Sequence, residues 1–135
     1  MFPIDATKVS RDPEVVSASV SDPLVYHGKL PVRTVAELAA AIDELPSSVS
    51  AITIPSLILY GSADGLCPPA GSVMLGERIG APDRTVKSYD GLFHEILNEP
   101  EAEAVPADIL AWLAERVPAV AAPDGATSPA GSSTS

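Results

Sequence analysis

A chain of 135 residues is long enough for one domain with a sizeable core, and 18 acidic against 8 basic residues give it a net charge of −10 and a pI near 4.4. Nucleic-acid binding is excluded as an expectation, because phosphate contacts need clustered Lys and Arg and the eight here are scattered. The single Cys67 allows no internal disulfide and suits a reducing compartment.

Met1–Ser10 lacks a charged stretch followed by an apolar one, so no secretory signal is expected, and no run is long enough to span a bilayer. The expectation is a soluble, cytoplasmic polypeptide with no internal repeats and no second domain boundary. Asp12–Val20 is predicted as a short helix, with Asp12 as N-cap, Pro13 at the first helical position and Glu14 in the first turn. It should end near Ser21-Asp22-Pro23. Thr34–Leu45 is the clearest amphipathic helix: Thr34 caps, Glu37 follows three residues on, and Val35, Leu38, Ile42 and Leu45 recur at helical spacing. Pro46 should stop it.

Pro55–Tyr60 (PSLILY) is a continuous apolar run closed by Gly61, as expected of a buried parallel strand. Pro69–Ile79 then predicts a helix with Val73, Leu75 and Ile79 available for burial, closed by Gly80 and Pro82. Arg84–Tyr89 (RTVKSY) is a second strand ending at Asp90-Gly91. Glu101–Val117 gives the last helix, with Ile109, Leu110, Leu113 and Val117 on its apolar face and Trp112 in the core. Pro106 argues for a late start or a kink. Ala119–Ser135 is nearly uncharged and rich in Ala, Pro, Gly, Ser and Thr, and reads as a disordered tail.

Strand, helix and strand make a right-handed crossover, so Asp64 and His94 fall just past the carboxyl ends of adjacent parallel strands, where chemistry collects in open α/β sheets. An orienting carboxylate and a general base fit that meeting. Taken singly, Asp beside Gly is ordinary turn chemistry and His a solvated loop residue; for the pair, metal binding and simple capping stay open. A zinc set of Asp64, Cys67, His94 and His27 has the ligand types but lacks the tight spacing of such sites. Cys67 otherwise reads as a small buried apolar residue, and His27 as a surface or cap residue.

The segments LILYGSADGLCP (57–68) and YDGLFHEILNEP (89–100) resemble the monoacylglycerol lipase and lysophospholipase branch of the α/β-hydrolases, whose last two strands carry the triad acid and base. The similarity runs from about Ile4 to Val117. It takes in Ser10-Arg11-Asp12-Pro13-Glu14-Val15-Val16 and Ser21-Asp22-Pro23-Leu24-Val25, which resemble the latter part of the family's cap. The resemblance implies the C-terminal part of an α/β-hydrolase fold, with an incomplete sheet. The end of the cap would span 1–50, the core portion with the last two parallel strands and their helices 51–117, and the tail 118–135. It further implies that Asp64 orients and charge-balances His94, while His94 takes a proton from a serine and returns it to the leaving alcohol of a monoacylglycerol or lysophospholipid ester. No metal or cofactor is needed. The first two helices would wall the acyl site, membrane-peripheral placement would suit the lipid substrate, and Cys67 would be a reactive thiol near the site.

The departure from the family matters as much. No G-x-S-x-G nucleophile elbow occurs in the 135 residues. Ser62 stands one place too early in Gly61-Ser62-Ala63-Asp64-Gly65, and Ser72, Ser88 and the tail serines lack elbow context. The early loop that supplies the oxyanion hole, a feature worth about a hundredfold or more in rate, has no counterpart either. Two parallel strands are not self-sufficient, and the ends leave only about a hundred residues for packing. Three expectations follow from different classes: the C-terminal part of a serine ester hydrolase completed by a separate N-terminal half; a non-catalytic truncated remnant that self-associates through its exposed sheet edge; or a lipid-binding protein that keeps the cap.

Overall fold

The computed structural model describes residues 5–117, so the expected tail over 118–135 lies outside the described residues. A 3₁₀ turn at Ala6–Lys8 leads into α1 (Pro13–Ser21), α2 (Val32–Ser48), a second turn at Val49–Ala51, β1 (Ser56–Gly61), α3 (Pro69–Arg78), β2 (Arg84–Tyr89), a third turn at Ile96–Asn98 and α4 (Ala104–Ala114). α1 begins as its sequence requires: Asp12 Oδ1 accepts from the Glu14 N–H at 2.8 Å, and Pro13 occupies the first turn, where its missing N–H leaves no bond unmade.

α2 departs from expectation at both ends. Thr34 is not its cap, because Pro31 (φ −57°, ψ 140°) turns the chain into the helix and its carbonyl accepts from Val35 N–H. Glu37 pairs with Arg33 one turn back instead of closing a capping box. Nor does Pro46 stop it: the helix runs to Ser48, where the Ser47 and Ser48 hydroxyls bond the Glu44 and Leu45 carbonyls and satisfy groups the last turn leaves open. Its apolar stripe, Val35, Leu38, Ile42 and Leu45, stays 43–56% exposed.

β1 and β2 are parallel in the register Ser56↔Arg84 to Gly61↔Tyr89 and form the sheet of the described residues. Paired residues share a face, so Leu57, Leu59, Thr85, Lys87 and Tyr89 point one way, and Ile58, Tyr60 and Val86 the other. α4 covers the first face. Tyr89 packs there with Leu92 and Val105 over Leu59, Ile96 and Ile109. The Tyr89 hydroxyl and Lys87 ammonium both bond Asp108 of α4, and Trp112 Nε1–H donates to Thr85 Oγ1. α3 covers the second face, where Gly76 is buried so close to Val86 that a Cβ would strike its side chain. A parallel strand pair clothed on both faces by helices is what the apolar run of β1 demands.

Trp112 is half-buried, not a core residue. Arg116 lies over its ring, 4.1 Å from the centroid, and joins Asp83 through two 2.8 Å bonds, so the far side of the indole faces a cation. α4 starts at Ala104, which puts Pro106 in its first turn and accounts for the late start.

Candidate active site

At the carboxyl end of β1 the chain turns sharply, with Asp64 N–H reaching back to the Gly61 carbonyl. Asp64 Oδ1 then accepts from Leu66 N–H and Cys67 N–H, both at 2.8 Å, an Asx turn that fixes the carboxylate and leaves Oδ2 free to point outward. His94 Nδ1 lies 2.9 Å from that Oδ2. The sequence-expected pair is therefore in contact, with the acid side chain 9% exposed and the imidazole 39% exposed. Burial pushes the Asp64 carboxyl upward, but the bonds from Cys67 N–H, His94 and Leu66 N–H together outweigh it, so the pKa lies below the ordinary aspartate value. An ionised carboxylate only accepts, so Nδ1 carries a proton toward Asp64, and in the neutral imidazole the lone pair is on Nε2.

The loop that carries His94 leaves β2 through Gly91, at φ +72°, a conformation that disfavours any residue with a Cβ. It meets the Asp64 loop main chain to main chain. Ser62 N–H donates to Tyr89 O at 2.9 Å and Ala63 N–H to Leu92 O at 3.0 Å. Ser62 Oγ also accepts from Gly91 N–H at 2.8 Å and donates to Asp90 Oδ1 at 3.1 Å, so this serine ties the two loops together. Sequence reading considered Ser62 only as a misplaced nucleophile.

His94 opens on a cavity of about 660 Å³ whose wall includes Val25 and Tyr26 from the loop after α1, Leu38 of α2, and Leu66 and Cys67 from the Asp64 loop. His27 also lines it. Cys67 is exposed and not a buried apolar filler, because its backbone N–H is bound to Asp64 while its side chain faces the opening. The ligand atoms of Asp64, Cys67 and His94 lie within 4.8 Å of one another, closer than sequence spacing suggests; His27 is not among them. Beyond His94 the loop is bonded to residues 9–11. Five hydrogen bonds cross there, including Arg11 to the buried Glu99, 88 positions away. No local sequence signal marks that pairing.

With this geometry in hand, the comparisons with known proteins take on specific weight. The Hydrolase_4 family model, described as serine aminopeptidase, S33, matches residues 2–101. The chain is 44% identical over 110 residues to the monoacylglycerol lipase of Mycolicibacterium smegmatis, covering 82% of this chain and 39% of that relative. It is 34% identical over 113 residues to the caffeoylshikimate esterase of Arabidopsis thaliana, 82% of this chain and 34% of the relative. Among solved structures, the monoacylglycerol lipase of Paleococcus ferrophilus superposes with a TM-score of 0.67 at 34% identity, over 82% of this chain and 43% of that one. The chain thus spans about two fifths of the length of the proteins it matches. No described helix is long and apolar enough to cross a membrane.

Proposed function

The chain belongs to the α/β-hydrolases of the monoacylglycerol lipase family, and from that membership we propose that it is the acid-and-base-bearing C-terminal portion of a serine ester hydrolase. The observation that carries this reading is the 2.9 Å contact between Asp64 Oδ2 and His94 Nδ1 at the mouth of an apolar cavity. In this reading Asp64 fixes the tautomer of His94. Nε2 takes the proton from a serine hydroxyl supplied outside these 135 residues, and Asp64 stabilises the imidazolium. The serine oxygen bonds to the ester carbonyl carbon, and the resulting tetrahedral intermediate collapses to an acyl-serine as Nε2 returns the proton to the leaving alcohol oxygen; water, deprotonated by Nε2, then displaces the serine and releases the acid. The substrate is a monoacylglycerol or a related lipid ester, its acyl chain lying along Val25, Tyr26 and Leu38. That choice is supported by the esterase and lipase relatives over the peptidase description of the family model.

A chimera tests it: the 110 matching residues of the Mycolicibacterium smegmatis relative are replaced by those of this chain. Ester turnover by the chimera, lost by roughly 10³-fold or more in His94→Ala with the fold retained, is the expected result. A folded chimera with no turnover, or a His94→Ala variant that turns over normally, defeats the proposal. The cavity also favours a second reading, retention of a single-chain lipid without chemistry. Saturable binding of a fluorescent fatty acid by the chain, together with an inactive chimera, would select it.

A further inference from the structure

We infer that Arg11 and Glu99 are positioning residues for His94, forming a clamp that holds the histidine loop in register with Asp64. The inference rests on the reading of His94 as the base. The loop from Asp90 to Glu101 contains no strand and only one short 3₁₀ turn, and its internal bonds, Leu92 to Tyr89 and Asn98 to Glu95, do not involve His94. Before His94 it is tied to the Asp64 loop through Leu92 O and Gly91 N–H. Immediately after His94 it is tied to residues 9–11. Glu95 N–H donates to Val9 O at 2.8 Å, Ser10 Oγ–H to Asn98 O at 2.8 Å, Arg11 N–H to Glu99 Oε1 at 3.0 Å and Arg11 Nε–H to Glu99 Oε2 at 2.5 Å. Asp12 N–H donates to Ser10 Oγ, and the Arg11 guanidinium also reaches Glu101.

Two features separate this from an ordinary surface ion pair. The Glu99 side chain is 0% exposed and Ser10 is 2% exposed, so the anchor is a carboxylate withdrawn from water whose partners must stay in place. A loop that needed only to be tethered would be served by exposed backbone bonds. Arg11 also meets both carboxylate oxygens, one with its backbone N–H and one with its side chain, which fixes orientation as well as distance. Ser10-Arg11-Asp12-Pro13 therefore has work outside the helix it opens: Ser10 and Arg11 bond the histidine loop directly, and Asp12 N–H holds the Ser10 hydroxyl.

The experiment reads the tautomer of His94 in the whole chain by long-range ¹H–¹⁵N NMR, in a His27→Gln background so that one imidazole is observed. It needs no catalysis, so it stands or falls separately from the chimera assay. Arg11→Met is expected to lower the Nδ1–H to Nε2–H ratio by about fivefold, the bias that one ordinary hydrogen bond sustains. Arg11→Lys should restore most of it, since a cation remains over Glu99. Arg116→Met, which breaks the Asp83 pair at the opposite end of the strands, should leave the ratio unchanged. A folded Arg11→Met variant with the original ratio overturns the inference, as does an equal drop in Arg116→Met. If Arg11→Met fails to fold, Ser10→Ala, which leaves the Arg11–Glu99 pair in place and removes the neutral bonds of Ser10 Oγ to Asn98 O and from Asp12 N–H, must still shift the ratio about twofold; no shift in that variant equally overturns it.

Discussion

Asp64→Asn is the most demanding single substitution, because the structure sets its effect on stability and on chemistry separately. The carboxylate accepts three bonds: Leu66 N–H and Cys67 N–H at Oδ1, and His94 Nδ1 at Oδ2. The amide keeps an oxygen for the two backbone donors, but each bond falls from charge-assisted to neutral strength, a loss of about 1 kcal/mol apiece. Its NH₂ group faces the Nδ1–H of His94, donor against donor, so the ring must adopt the Nε2–H tautomer. The stability loss should therefore be about 1–3 kcal/mol, with the third bond discounted because the imidazole is exposed to solvent. On the proposed mechanism the chemical loss is far larger, about 10⁴ in kcat, because the nitrogen that would take the serine proton already carries one.

Urea unfolding of the chain followed by circular dichroism measures the first quantity, and ester turnover by the chimera the second. The sign with pH is fixed too. Asp64 has a lowered folded pKa, so its contribution is present above the ordinary aspartate range and is lost as pH falls through the folded value. The difference in unfolding midpoint between Asp64→Asn and the parent should thus close in acid. A variant that keeps kcat within tenfold of the parent chimera, or a stability difference that persists in acid, would refute the reasoning.

Val105→Ala deletes two methyl groups from a fully buried side chain against Tyr89 and Leu92, and should destabilise by about 1–2.5 kcal/mol in urea unfolding. Gly91→Ala should lose about 1–2 kcal/mol from the positive φ alone, since a Cβ there meets no neighbour within 4 Å; Gly91→Asn should lose less. Tyr89 is pushed up to about 12, first by burial and then by the adjacent Asp108 carboxylate. A raised folded pKa means its contribution is complete below the unfolded value of 10.0 and disappears as pH rises toward 12. Spectrophotometric titration should show one tyrosine ionising near that value, together with alkaline unfolding that Asp108→Asn shifts.

Much of the frame is legible in the order of residues, and the exceptions are instructive. PSLILY and RTVKSY gave both strands within a residue, because apolar runs bounded by Gly and Asp-Gly leave little choice. Asp12-Pro13-Glu14 declared the start of α1, since a side-chain acceptor, a fixed φ and a missing N–H all act within three residues. Thr34 and Pro46 misled because their local preferences were overridden by Pro31 on one side and by serine hydroxyls on the other. Asp64 and His94 could be singled out from their strand-end positions; their contact distance could not. Least legible was the bonding of Ser10 and Arg11 to Asn98 and Glu99, which depends on a chain return across 88 residues that no periodicity encodes.

Gly61 closes β1 against the carbonyls of Leu92 and Phe93, an approach that leaves no room for a side chain. With Ser62 and Ala63 donating to Tyr89 and Leu92, the segments that carry Asp64 and His94 are laced by main-chain bonds at two successive residues. On the side of β1 their spacing is thus held by main chain, while the bonds of Ser10 and Arg11 hold the other side of the loop, and all of these contacts lie within this chain. A serine delivered from elsewhere would meet a proton acceptor already oriented, so the ordering entropy of the dyad would be settled during folding and only the nucleophile would remain to be aligned.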